Sequence, residues 1–173
     1  NHRVLVWNSI PTAMPPPAPD LVLGQEDADH CDNRGGSETG ANSAATLSNP
    51  LGIWSDGTRL AVADANNNRV LIWNDLATAA TFQDADLILG FESFDERDDF
   101  TAPSDRKLRF PMGVYSDGTS LAVADTENNR VLIWRTFPTV NGQEANVVIG
   151  QPNFEQRLPP GAGEGALGEA RLG

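Results

Sequence analysis

Pro50-Leu51-Gly52-Ile53-Trp54-Ser55-Asp56-Gly57-Thr58-Arg59-Leu60-Ala61-Val62-Ala63-Asp64-Ala65-Asn66-Asn67-Asn68-Arg69-Val70-Leu71-Ile72-Trp73 is the stretch on which the fold turns. It returns 61 residues later, from Pro111 to Trp134, with 18 of 24 positions identical. Its closing run, Asn67 to Trp73, also occurs 66 residues earlier as Asn1-His2-Arg3-Val4-Leu5-Val6-Trp7. A further block follows each copy: Asp20-Leu21-Val22-Leu23-Gly24, Asp86-Leu87-Ile88-Leu89-Gly90 and Asn146-Val147-Val148-Ile149-Gly150. Separate blocks recurring in one order define a tandem unit of about 60 residues.

Each unit reads as four short strands. The first covers Gly52 to Ser55, or Gly113 to Ser116, and ends at Asp56-Gly57 or Asp117-Gly118, where glycine supplies the positive φ of a tight hairpin. The second is Leu60 to Asp64, repeated as Leu121 to Asp125, and its alanines predict close packing against a neighbouring sheet. An Asn-rich turn follows (66–68 and 127–129), since asparagine tolerates left-handed geometry. The third strand, Arg-Val-Leu-Ile-Trp, is apolar without a break after its arginine and is expected to be buried on both faces. A Pro/Ala-rich link leads to the fourth, Leu87 to Leu89 or Val147 to Ile149. No segment carries a helical period longer than two turns. The expectation is an all-β chain. Four-stranded units cannot each bury two faces alone, so they stack, and radial stacking makes each one a blade of four antiparallel strands in a β-propeller.

Composition narrows the partners. With 24 acidic residues against 12 basic ones and a formal net charge of −12, the chain lacks the basic stripe that nucleic acid or an anionic membrane surface requires. A single cysteine, Cys31, excludes an internal disulfide and a multi-thiolate zinc site. Only His2 and His30 are on hand for metal or acid–base chemistry. No apolar run reaches membrane-spanning length, so no membrane insertion is expected.

The pattern Pro-x-Gly-[Ile/Val]-x-x-Asp-Gly-x-x-Leu-x-Val-Ala-Asp-x-x-Asn-Asn-Arg-Val-x-x-Trp resembles NHL-repeat β-propellers, in particular the long-loop repeats of secreted or lipid-anchored bacterial proteins. The likeness spans residues 1–24, 50–90 and 111–150, and departs in linkers longer than the family's usual repeat of roughly forty residues. It implies a six-bladed ring and an extracytoplasmic bacterial setting: secreted, periplasmic or at the cell surface.

On this reading the chain holds the second half of a blade plus a long loop (1–48), a complete blade (49–107), and a complete blade with a tail leading to a further one (108–173). Together they supply about two and a half blades of one propeller domain, whereas closed propellers have about four to eight. The expectation is a fragment of a longer protein. The alternative is a self-assembling subunit that pairs through open strand edges as a homo-oligomer.

Asp64 and Arg69, with their copies Asp125 and Arg130, flank the Asn-rich turn at one rim and are the candidate binding residues. They form either a ligand-binding ring or a turn cap with its salt bridge, and recurrence in every unit favours the second. Trp7, Trp73 and Trp134 offer faces for sugar stacking, but are expected to fill the wedge between sheets, at about 2–3 kcal/mol each. Trp54 and Tyr115 share one position and invite the same judgement. In the acidic stretches 26–32 and 95–99, Asp27, Asp29, Asp32, Asp95, Asp98 and Asp99 are candidate Ca²⁺ ligands. Neither stretch has the spaced Asp/Asn–Gly loop of a calcium motif, so solvated acidic loops and no cofactor are expected. His30 and Cys31 are adjacent, diverge on an extended chain and have no third zinc ligand.

No Ser–His–Asp or Cys–His arrangement can be assembled, and no catalytic residue is assigned. The expected function is a non-enzymatic binding module or scaffold, whose long rim connections (91–107 and 151–170) meet a protein, a glycan or a small ligand. The alternative is part of a metal-dependent propeller lyase or hydrolase, whose catalytic residues lie mostly outside this segment.

Overall fold

The computed structural model describes residues 1–32, 42–96 and 102–159. Its strands are β1 (Val4–Val6), β2 (Leu21–Leu23), β3 (Pro50–Ser55), β4 (Leu60–Asp64), β5 (Arg69–Trp73), β6 (Leu87–Leu89), β7 (Pro111–Ser116), β8 (Leu121–Asp125), β9 (Arg130–Trp134) and β10 (Val147–Ile149). They form three antiparallel sheets, β1–β2, β3–β4–β5–β6 and β7–β8–β9–β10. The helical segments among the described residues are two short 3₁₀ turns, Ala65–Asn67 and Thr126–Asn128. The fold is all-β.

The first strands start two residues earlier than the hairpin reading placed them, at Pro50 and Pro111. Proline takes a strand's opening position because the ladder asks no N–H of it there, and the register shifts directly afterwards in both sheets. Each 3₁₀ turn ends on a left-handed asparagine, Asn68 at φ 55° and Asn129 at φ 52°. His2 holds the corresponding place at φ 54°.

Alternation along the strands gives each sheet two apolar faces, and the repeat makes them complementary. Ala61, Ala63, Val70, Ile72 and Leu89 of the second sheet pack on Val114, Leu121, Val123, Leu132 and Trp134 of the third. The opposite face of the second sheet (Leu60, Val62, Leu71, Trp73, Ile88) packs on Val4, Leu21 and Leu23. β4 and β5 are therefore buried at every residue. β8 and β9 alternate between buried and half-buried, because among the described residues no sheet lies over Ala122, Ala124 and Val131. Burial on both faces thus holds for β5 and not for β9, although the two strands are identical in sequence.

The sheets converge at their first strands. A Cβ on Gly52 would lie 2.7 Å from the Gly113 Cα and 2.8 Å from the Met112 carbonyl, a spacing only glycine permits. At the outer edge, the link before each fourth strand caps the fourth strand of the unit before it. Phe82 N–H donates to the Val22 carbonyl (2.8 Å) and Gly142 N–H to that of Ile88 (2.8 Å). Thr81 Oγ1 and Asn141 Oδ1 accept from the Val22 and Ile88 amides, each at 3.2 Å. Outer edges that would otherwise recruit foreign strands are closed in this way.

Candidate functional site

The Asp–Arg pairs build the foundation of one rim. In the β4–β5 ladder Asp64 stands opposite Arg69, and in β8–β9 Asp125 stands opposite Arg130. Asp64 Oδ1 accepts the Ser48 N–H (2.6 Å), while Oδ2 accepts Asn67 Nδ2 (2.8 Å) and Arg69 Nε (2.7 Å). The rest of the Arg69 guanidinium donates to the carbonyls of Phe94 (3.0 Å), Ser43 (3.0 Å) and Thr46 (2.7 Å). The second copy repeats this bond for bond. Asp125 accepts the Arg109 N–H (2.6 Å), Asn128 Nδ2 (2.9 Å) and Arg130 Nε (2.7 Å), and Arg130 donates to Phe154, Ser104 (2.8 Å) and Lys107 (2.7 Å). Both pairs are at 0% side-chain exposure, so these four residues lie beneath the rim and their polar atoms are spent inside the protein. Burial pushes the Asp64 and Asp125 carboxyls up from the ordinary range, against the pull of the paired guanidinium and the surrounding donors.

Each arginine clamps chain on both sides of its own sheet. Arg69 holds the incoming connection at Ser43 and Thr46 and the outgoing one at Phe94; Arg130 does the same at Ser104, Lys107 and Phe154. The long connections therefore rise from fixed feet.

Trp73 and Trp134 are at 0% exposure between sheets, with their indole N–H groups on the Gln83 (3.2 Å) and Gln143 (2.9 Å) carbonyls. Trp7 makes the same bond to Pro17 (3.1 Å) but is only half-buried. Trp54 and Tyr115 differ: Trp54 lies between units against Phe137, while Tyr115 is 66% exposed.

Asp27, Asp29, Asp32 and Asp95 are exposed; Asp98 and Asp99 lie outside the described residues. Asp27 Oδ1 closes a turn on the Asp29 and His30 N–H groups (2.8 and 2.9 Å) and on His30 Nδ1 (2.7 Å). Among the described residues no group of three or more His, Cys, Asp or Glu comes together in a form that could hold a metal. Cys31 is a free, exposed thiol.

The histidines have opposite environments. Burial pushes His2 down, and the hydrogen bond to Asp27 pushes His30 up. His2 Nδ1 accepts the Asn49 N–H (2.9 Å), and in the next unit Asn68 Oδ1 accepts the Phe110 N–H (2.7 Å), so this side chain latches each unit to the following one. Protonating His2 competes with that bond. The depressed value means that the unfolded chain binds the proton first, so the latch contributes above the unfolded value of ~6.5 and is lost as pH falls through the folded one. An NMR titration should resolve one histidine on each side of the ordinary value, with the Asn49 amide shifting in step with the lower one.

Comparing the repeats could not reveal Arg59, because its copy is Ser120. Its guanidinium reaches across to the Gly118 carbonyl (2.8 Å), lies over the Phe137 ring (4.0 Å to the centroid) and pairs with Asp56. The Arg59 backbone N–H, and behind it the guanidinium, holds the Asp56 carboxyl down at about 2.

Comparison with protein-family models and with curated proteins gives no match.

Proposed function

We propose that this chain is a non-enzymatic NHL-type β-propeller module, part of a larger ring, whose long connections on the Asp–Arg rim bind a protein or glycan in an extracytoplasmic bacterial setting. The observation that carries this reading is the anchoring of those connections. Arg69 holds Phe94, and Arg130 holds Ser104 and Lys107, so these anchor points are fixed by the sheets beneath them. Loops raised from a rigid scaffold are the usual place for recognition. Carboxylates in these connections (Asp27, Asp29, Asp32, Asp95) favour a ligand with a basic or hydroxyl-rich face. No helix among the described residues is long and apolar enough to cross a membrane.

The test is binding of the purified chain to a glycan array and to immobilised basic proteins, beside a variant with those four aspartates changed to asparagine. Saturable binding that the variant loses, with its unfolding midpoint retained, is the expected result. Zinc or calcium retained stoichiometrically through dialysis would overturn it in favour of the metal-dependent lyase or hydrolase. A self-assembling subunit is a second reading, supported by the apolar depression of about 270 Å³ on the open face of β7–β10, lined by Gly113, Tyr115, Ala122, Ala124 and Val131. Mass measurement in solution separates it from the first, since a discrete ring or filament follows only from self-assembly.

A further inference from the structure

We propose that Phe110 is the stacking platform of a site for a neutral pyranose sugar, on the Asp–Arg rim at the joint between the second and third sheets. The inference rests on the rim-binding reading and narrows it to one ligand class. Both four-stranded sheets that make this joint are present.

The backbone singles the residue out. Phe110 has φ 49°, and its copy Asn49 has φ 56°. Asparagine tolerates that left-handed region, whereas a phenylalanine there is strained. The ring is not spent on the core: it stays partly exposed and belongs to neither apolar cluster between the sheets. Strain that the surroundings hold in place marks functional positions. Here the surroundings are the Asn68 latch, whose Oδ1 accepts the Phe110 N–H at 2.7 Å, and the buried Pro111 that opens β7.

Polar groups flank the ring from both units. The latch brings the 65–68 turn up to Phe110, and in that turn Asn66 is exposed and its Oδ1 accepts Asn49 Nδ2 at 3.5 Å. On the side of the third sheet, Arg109 Nε donates to Glu127 Oε2 at 2.8 Å, with the Glu127 side chain 51% exposed. The Glu127 N–H donates back to the Arg109 carbonyl at 3.2 Å. Here the repeat departs from itself. Asn49 and Asn66 of one unit become Phe110 and Glu127 of the next, while the Asp–Arg bond below them is 2.7 Å in both.

An aromatic face bordered by planar amides and a carboxylate matches a pyranose. The axial C–H groups of one sugar face lie on the ring, and neighbouring hydroxyls bond to the amide and carboxylate edges. Charge selects a neutral sugar. The formal net charge of −12 repels an acidic one, and Arg109 is already paired with Glu127. A nucleotide base stacks equally well, but its phosphates meet the same field.

The test titrates cellobiose, lactose and maltose into the isotopically labelled full chain, and follows the Phe110 ring protons with the side-chain amides of Asn49 and Asn66. At least one disaccharide should shift these signals together and saturably. Phe110→Asn, which installs the residue its copy already carries, should weaken that binding about tenfold or more. Its thermal midpoint should stay at or above that of the parent chain, because the left-handed strain is relieved. Phe110→Tyr keeps the aromatic face and should hold affinity within about threefold, and Asn66→Ala should weaken it about threefold or more. No shift with any of the three sugars, or binding indifferent to Phe110→Asn, overturns the proposal. So does a lower midpoint in Phe110→Asn, since the ring would then serve packing. Capture on the glycan or basic-protein surfaces that needs the four aspartates but not Phe110 leaves the rim-binding reading standing and overturns this one alone.

Discussion

Arg69→Ala should lower the unfolding free energy by roughly 3–5 kcal/mol, and Arg130→Ala by a similar amount. The change leaves the Asp64 carboxylate buried without its counter-charge and deprives the Ser43, Thr46 and Phe94 carbonyls of their donor. Arg69→Lys should recover little, since one ammonium cannot reach a carboxylate and three carbonyls spread around a planar fork. Arg3→Ala is the internal control. It has the same residue type at the same repeat position, but is half-buried and pairs with no carboxylate among the described residues, so its cost should stay within about 1 kcal/mol. Urea unfolding of the four variants measures the series. Equal costs at positions 3 and 69 would mean that the buried network does not hold the units together.

The second large effect concerns the wedge. Trp73→Ala removes a side chain at 0% exposure and should cost about 3–5 kcal/mol. Trp134→Ala should match it, and Trp7→Ala should cost clearly less because its ring is partly in water. Trp73→Phe separates filling from hydrogen bonding: most of the apolar volume stays, and the loss falls to the Gln83 carbonyl left without its donor, about 1 kcal/mol. Thermal unfolding followed by circular dichroism orders the variants without relying on the fluorescence being deleted.

Much of the fold was legible because the chain is its own alignment. Comparing unit with unit marked Leu60–Asp64, Arg69–Trp73, Leu87–Leu89 and Val147–Ile149 to the residue. Repetition speaks only of what units share, and the discrepancies follow from that. Arg59 has no copy and so stayed silent, although it joins two units. β9 copies β5 letter for letter, yet its burial differs because burial depends on the next sheet and not on the strand's own residues. Asn68 was readable as a left-handed turn residue, but its bond to the Phe110 amide depends on a residue 42 positions away. For the Asp–Arg pairs the sequence offered a ring or a cap; their place beneath the rim follows from a ladder register that brings Asp64 opposite Arg69 while the connections close over both.

Consecutive units lean on one another and come closest at their first strands. A NOESY spectrum of selectively glycine-labelled protein tests this most directly, through the α-protons of Gly52 and Gly113. A strong cross-peak between these residues, 61 positions apart, is the predicted result. Intact strand pairing within each sheet with no cross-peak between the two glycines would contradict the claim.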